Sequence, residues 1–498
     1  MADNGNEAGP NVLVFLCDQL QAAAVNGSDC HTPNLDRFAK TGVRFTHAYT
    51  PSPTCSPARA SLMTGRLPHN HGVWWVTHTV DSDTGRLRED APHWAQRLQV
   101  AGYDTAYFGK WHVEHTDSPS RFGWDLDVSL KSRRFGETVE REGFAGVGES
   151  DLLEGVVVDQ PEGYTRRLVG GAVEAPSEKR HLGLLSGLAQ DYIKDKSDSH
   201  KPWCAVIATP EPHDPFICSQ EFLSQYPSES IRTPPNWFDK LEDAPELYRL
   251  ATSAFKNLSL EERQRIAAYY YALVTEIDSY FGTILQTLEE TGQRDNTVII
   301  FTSDHGELLG AHGLYFKNIS GYEEAYGIPL IVSGPNIQDG AVSTARVGLH
   351  DLAQTILQLA GAELLPTNDS SGFAQLLMNT KGEANPTDDF RRGYAESFGG
   401  RLLLTQRILW DGKWKIVFNG YGKDELYDLD SDPYELRNLI EVPEYQTRVK
   451  EMMGELWSFA NDTGDRTLFE ADYPALRVAA YGPSSNDRGQ TQVEVSHW

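Results

Sequence analysis

The sequence predicts an α/β fold organised on a mainly parallel sheet, with a smaller antiparallel unit towards the carboxyl terminus. Three observations carry this. Apolar runs such as Asn11–Cys17, Trp203–Ala208 and residues 296–303 are continuous rather than alternating, as strands buried on both faces should be. Helical patterns lie between them, above all at 260–291, where Tyr269, Leu273, Ile277, Phe281, Ile284 and Leu288 recur at helical spacing as a core stripe. Past residue 400 the runs become short, and Asp411-Gly412 between residues 407–410 and 413–418 is a hairpin turn signal.

With 498 residues, 40% of them hydrophobic, the chain can bury a large core and spans two or three domain equivalents. A formal charge of −27 excludes broad attraction to nucleic acid or to an anionic membrane surface. The five cysteines, at 17, 30, 55, 204 and 218, are too few and too scattered for a disulfide framework, and reduced thiols are expected. Residues 1–10 are polar and carry no apolar signal core, and no stretch approaches a membrane span. A cytoplasmic protein is therefore expected; a trimmed periplasmic or secreted chain would read the same.

Taken in order, Asn11–Cys17 ends at Asp18-Gln19. Ligands in open α/β sheets sit beyond the carboxyl ends of strands, so position alone makes Asp18 a site candidate; the plainer alternative is a carboxylate capping the next turn. Residues 32–39 begin with Thr-Pro and run into an amphipathic scaffold helix. The stretch 53–66 places one thiol, Cys55, before Pro57 and Arg59, where a helix begins. Unpaired N–H groups there favour an anion, and Arg59, one turn on, points back to the same place. His69, His71, Trp74, Trp75 and His78 follow as a loop that reads either as a substrate-facing wall or as ordinary packing. A helix at 92–101 and a strand at 103–108 lead to Gly109-Lys110-Trp111-His112, whose alternation turns Lys110 and His112 to one side. Residues 113–200 read as loops and short helices. After Trp203–Ala208, His213 sits in a proline-stiffened loop, a suitable seat for a general acid, and Asp214 is left unassigned. Residues 296–303 deliver Asp304-His305-Gly306, an arrangement suited to a metal site at a sheet edge. As bare residues, Lys110, His112 and Lys317 would more often be surface or satisfied groups.

Cys55-Ser56-Pro57-Ala58-Arg59 matches the C-x-P-x-R signature of the type I sulfatases, and residues 62–66 resemble its usual continuation. Further motifs resemble the same family in the same order: residues 32–39, Gly109-Lys110-Trp111-His112, the context of His213, Asp304-His305, Lys317, residues 328–335 and residues 425–439. The similarity runs from Asn11 to about Leu439. It implies an alkaline-phosphatase-like α/β domain with a large mixed, mainly parallel sheet between helices over 1–385. A smaller domain of antiparallel sheet plus helix follows over 386–498. The tail from Glu470 is assigned to the site mouth or to a neighbour in a homo-oligomer.

The resemblance also implies chemistry. In the family the cysteine corresponding to Cys55 is oxidised to formylglycine by a maturation enzyme, and the hydrate of that aldehyde is the nucleophile. Asp18 and Asp304, with His305, Cys55 and the carbonyl of Gln19, are the expected holders of one divalent metal, Ca2+ in first place and Mn2+ or Mg2+ open. Gln19 stands where the family commonly has a second aspartate. Arg59, Lys110, His112, His213 and Lys317 are expected to neutralise the ester anion and the leaving oxygen, with His213 favoured as proton donor and Lys317 second. For so acidic a chain this requires a local island of positive potential. The expected substrate is a sulfate ester on a sugar or other ring-bearing alcohol. Alternatives are a phosphonate monoester or phosphodiester hydrolase using the same site, a thiolate metal protein and a binder of sulfated ligands.

Overall fold

Asn11–Cys17 (β1) is buried along its whole length because it separates two cores. Leu13, Phe15 and Cys17 enter one, and Val12, Val14 and Leu16 the other. The period-two alternation of a strand thus explains why residues 12–17 carry no polar side chain on either face. The computed structural model describes residues 9–469, apart from short segments at 28, 82–83, 117, 144–148, 159–165, 318, 379–389, 400–402 and 421.

Around β1 lie Gly42–Tyr49 (β2), Asp104–Gly109 (β3), Leu126–Ser129 (β4), Trp203–Ala208 (β7), Thr297–Ser303 (β9), Leu330–Ser333 (β10) and Ala341–Gly348 (β11). Between β4 and β9 the chain also forms Leu152–Val158 (β5), Arg167–Val173 (β6) and Phe216–Ser219 (β8). The eight-stranded sheet has the order β11-β2-β10-β9-β1-β7-β3-β4. β10 alone in it runs antiparallel to its neighbours.

The helix Leu260–Glu290, started by a capping box of Ser259 and Glu262, covers one face with Ile277, Phe281 and Ile284. The helices Cys55–Thr64, Trp94–Val100 and Asp351–Ala360 cover the other with Leu62, Trp94 and Ile356. Each such side chain, fully buried, contributes roughly 1.5–3 kcal/mol. Truncating Phe15 at the centre of the sheet would cost about 3–5 kcal/mol.

Residues 113–200, expected as loops and short helices, also hold strands and one longer helix. β6 pairs with β5 on one side and β8 on the other in a three-stranded sheet, and His181–Asp195 is a helix. Gly155, Gly170 and Gly171 interrupt the apolar alternation of β5 and β6, yet Gly170 is where Tyr269 and Phe216 press close to the backbone.

Arg392–Gly399 (β12), Leu403–Asp411 (β13), Trp414–Asn419 (β14) and Glu425–Asp428 (β15) form the expected antiparallel sheet. Ile416, Phe418 and Leu426 pack under the helix Gln446–Asp462, whereas Ile408, Trp410 and Val417 pack towards Tyr49, Tyr322 and Tyr326. The boundary expected at residue 385 and the tail from Glu470 lie outside the described residues. Among the described residues no helix is long and apolar enough to cross a membrane.

Candidate active site

Parallel pairing brings four strand ends level. The ladder runs one step past the strands, with Asp304 N donating to Cys17 O at 3.1 Å, Thr209 N to Leu16 O at 2.9 Å and Lys110 N to Ala208 O at 2.8 Å. Asp18, Lys110, the His213 loop and Asp304-His305 therefore leave the sheet side by side. The Cys55–Thr64 helix starts over the same edge, delivered by the loop after β2. Gln19 and His112 turn off their strands in left-handed backbone, at φ 71° and 52°, an unfavourable conformation for such residues that the surroundings must hold.

Arg59 organises the two carboxylates from behind. Its Nε donates to Asp304 Oδ2 at 2.7 Å and its Nη2 to Asp18 Oδ2 at 3.1 Å. The two Oδ1 atoms are left facing a common centre, each 3.7 Å from His305 Nε2. His305 Nδ1 donates to the Gly306 carbonyl at 2.9 Å, so in the neutral ring the lone pair lies on Nε2. Cys55 Sγ lies 3.2 Å from that nitrogen and 3.7 Å from Asp18 Oδ1. One ligand atom each from Asp18, Cys55, Asp304 and His305 thus lies within 4.8 Å of the others, all buried.

Cations crowd the same point. Lys110 Nζ is ion-paired with Asp18 Oδ2, and Lys317 Nζ donates to Cys55 Sγ at 3.3 Å and reaches His213 Nε2 at 2.5 Å. Burial alone would push the Cys55 thiol up; Lys110, Lys317, His305 and His112 outweigh it and hold it well below the ordinary thiol range. Burial and the Cys55 charge raise Asp18, but Lys110, His213 and Arg59 prevail and depress it. Burial and the Asp18 charge raise Asp304, although His305 and Arg59 oppose them. Neighbouring carboxylates pushed in opposite directions are a mark of functional sites.

The cluster opens into a cavity of about 1480 Å³. Lys110, His112, His213 and Lys317 line it together with Cys55, and Lys131, Arg167 and Arg180 add further cations, of which Arg167 pairs with Asp214 and Arg180 with Glu276. A local cluster of cations is what the expected chemistry requires of a chain with a net charge of −27.

The sulfatase family model matches residues 10–362, and that for the carboxy-terminal region of N-sulphoglucosamine sulphohydrolase matches residues 310–462. The chain belongs to the sulfatase family. It is 28% identical to choline-sulfatase of Rhizobium meliloti, with 95% of this chain and 93% of that protein covered. It is 30% identical to arylsulfatase K of Xenopus laevis, with 96% and 85% covered. The phosphonate monoester hydrolase SpPMH from Silicibacter pomeroyi has the same fold, with a TM-score of 0.76 at 23% identity over 92% of this chain and 96% of that one. This sulfatase is a sulfuric ester hydrolase.

Not every residue expected at the site has the expected contacts. Arg59 has no exposed surface and lies behind Asp18 and Asp304, so it reaches an anion only through them. Gln19 turns its carbonyl to Lys317 Nζ at 3.0 Å and its amide nitrogen to Glu307 and Asp214. The tryptophan wall is packing: Trp74 stacks on Phe398 at 4.9 Å, and Trp75 Nε1 donates to the Phe398 carbonyl at 2.8 Å. From that loop it is His78 that faces the cavity, paired with His112 at 3.2 Å. Asp214, left unassigned from the sequence, accepts from Gln19 at 3.1 Å and Arg167 at 2.5 Å, and buried Glu307, which sequence reasoning passed over, holds the loop before Lys317. The adjacency Asp304-His305-Gly306-Glu307 was the one local signal for the latter.

Proposed function

We propose that this sulfatase hydrolyses sulfate monoesters of ring-bearing alcohols, sugars among them, with Cys55 converted to formylglycine and one divalent cation beside it. The observation that carries the reading is the convergence of donor atoms from Asp18, Cys55, Asp304 and His305 at the head of a cation-lined cavity. The donors fit such a cation: Arg59 occupies the outer carboxylate oxygens, and Gly306 fixes the imidazole tautomer that offers Nε2. Calcium is favoured for the two hard oxygens, while His305 also suits manganese or magnesium. Bound there, the ion would supply Lewis-acid polarisation of the ester and favour an ionised hydroxyl at position 55.

The chain's own groups supply the remaining steps. Lys110, His112 and Lys317 aim N–H donors at the space beside buried Cys55, where negative charge develops. Lys317 and His213, 2.5 Å apart, hold the proton for the leaving oxygen. Leu247, Leu250, Ala254 and Phe255 form an apolar wall, which supports a ring-bearing alcohol. Hydrolysis of phosphonate monoesters or phosphodiesters at the same site is a second reading. It is favoured by Gln19, which leaves the anion facing a floor one carboxylate less charged.

The test is mass spectrometry of the peptide holding Cys55, from protein co-produced with a formylglycine-generating enzyme, followed by assay on matched aryl sulfate and phosphorus esters. A peptide lighter by about 18 Da, the change from thiol to aldehyde, with sulfate turnover tracking the converted fraction, supports the reading. Unchanged cysteine in fully active protein overturns it, and faster turnover of the phosphorus ester moves the second reading ahead.

A further inference from the structure

The ammonium of Lys317 has three hydrogens and three acceptors around it: Gln19 Oε1 at 3.0 Å, Cys55 Sγ at 3.3 Å and His213 Nε2 at 2.5 Å. His213 Nδ1 donates to the Asp214 carbonyl at 2.7 Å, so Nε2 is the nitrogen that receives from Lys317. Two carboxylates on the far side of the amide fix the Gln19 carbonyl, and one of them, Glu307, lies outside the cavity lining. The Gln19 amide nitrogen donates to Glu307 Oε2 at 2.5 Å and to Asp214 Oδ1 at 3.1 Å. With carboxylates on one side of the amide and an ammonium on the other, one orientation satisfies all partners.

Glu307 has no exposed surface and does not line the cavity. Its other oxygen accepts from Leu309 N at 2.8 Å and Phe316 N at 2.6 Å. Leu309 and Phe316 both adopt left-handed backbone, at φ 43° and 66°, which a carboxylate bridging their N–H groups can hold. Lys317 follows Phe316 directly. Glu307 therefore fixes Lys317 twice, at its head through Gln19 and at its backbone through Phe316.

We propose that Glu307 is a positioning residue for leaving-group protonation, aiming the Lys317–His213 pair at the departing oxygen; this rests on the sulfate ester reading above. In the step concerned, an oxygen of the hydrate at position 55 bonds to sulfur as the S–O bond to the alcohol breaks, and the electron pair of the broken bond goes to the leaving oxygen. That oxygen takes the proton shared by Lys317 Nζ and His213 Nε2. A basic leaving oxygen needs the proton as the bond breaks, whereas an acidic phenol leaves without it.

The experiment compares wild type with Glu307→Gln, both fully converted and metal-replete, on phenyl sulfate and 4-nitrophenyl sulfate. Phenol, with a pKa of about 10 like tyrosine, is the leaving group that needs the proton. Glu307→Gln is expected to lower kcat on phenyl sulfate about 100-fold and on 4-nitrophenyl sulfate less than about 5-fold, within the range of general acid catalysis. KM and bound metal should not change. Equal losses on both esters, or loss of metal, overturn the inference. Should Glu307→Gln fail to fold, Gln19→Met must give the same split between esters, and a uniform loss there overturns it equally. Wild type idle on both esters overturns the sulfate ester reading itself.

Discussion

At the head of the cavity, and again beside the C-terminal sheet, this sulfatase buries a histidine, two carboxylates and an arginine. The second group is His69, Glu396, Asp465 and Arg407. Here the arginine sits among the acids rather than behind them. Arg407 Nη2 is 2.7 Å and its Nε 2.8 Å from Asp465 Oδ2, with Nε 3.6 Å from Glu396 Oε2. His69 uses both nitrogens, Nδ1 on Glu396 at 2.8 Å and Nε2 on the Thr463 carbonyl at 3.2 Å. All coordinating capacity is consumed internally. At the cavity, Arg59 takes only the outer oxygens of the two acids, and His305, fixed through Nδ1, turns Nε2 inward. Residue types alone would call both clusters metal sites. The position of the arginine leaves donor atoms turned to a common centre in one and makes the other a fastener between β12, β13 and the segment around Asp465.

The comparison is sharpest where the two should respond oppositely. Cys55→Ala, with the thiol gone from the open cluster, is expected to lower turnover by at least about 10³-fold, the order seen when a nucleophile is removed. His69→Gln, in the closed cluster, should leave most of it. Steady-state kinetics on an aryl sulfate measures both, and a large loss in His69→Gln at unchanged stability would break the distinction. In the closed cluster the large effect should fall on stability. Arg407→Ala leaves buried Glu396 and Asp465 without their counter-charge and is expected to destabilise by about 3–5 kcal/mol, read as a lower denaturation midpoint at unchanged slope.

Metal binding separates the clusters next. Asp304→Asn is expected to weaken metal affinity by at least about 10-fold, since even groups behind the ligands cost about 10- to 100-fold. Asp465→Asn should leave metal content untouched. Titration of metal into dialysed protein decides, and equal weakening in both would show that the second cluster also binds.

How much of this was legible follows from the same contrast. Asp18, Lys110, His213, Asp304 and His305 each follow a buried apolar run, so the strand pattern that predicted the sheet also pointed to its functional edge. The motif at Cys55–Arg59 located the helix start that faces it. Side-chain partnerships across long sequence separations were not legible. Gln19 meets Lys317 across 298 positions, and His69 meets Glu396 across 327. Local pattern records which face a residue occupies, and it holds nothing about the distant group a polar tip will find there. For the same reason the loop of Trp74 and Trp75 could be read either as a wall or as packing: their partner Phe398 is supplied by β12. The β5–β6 hairpin escaped notice because its glycines erased the alternation that announces a strand.

The closed cluster also predicts a pH dependence. Burial lowers His69, but the Glu396 carboxylate, with help from Asp465, outweighs this and raises it to about 9. Arg407 opposes the shift, and the Thr463 carbonyl faces the remaining nitrogen. The folded state therefore binds this proton more tightly than the unfolded chain, in which a histidine titrates near 6.5. Its contribution is fully present below about pH 6.5 and is lost as pH rises through about 9. Between pH 7 and 9 the wild type should lose about 2 kcal/mol from this source, one unit of pKa being about 1.36 kcal/mol. His69→Gln carries no such proton and should show a correspondingly flatter profile over that interval. Urea unfolding of both proteins at the two pH values measures the difference. Parallel profiles would mean that Glu396 and Asp465 are satisfied by Arg407 alone, and that the fastener holds without the charge on His69.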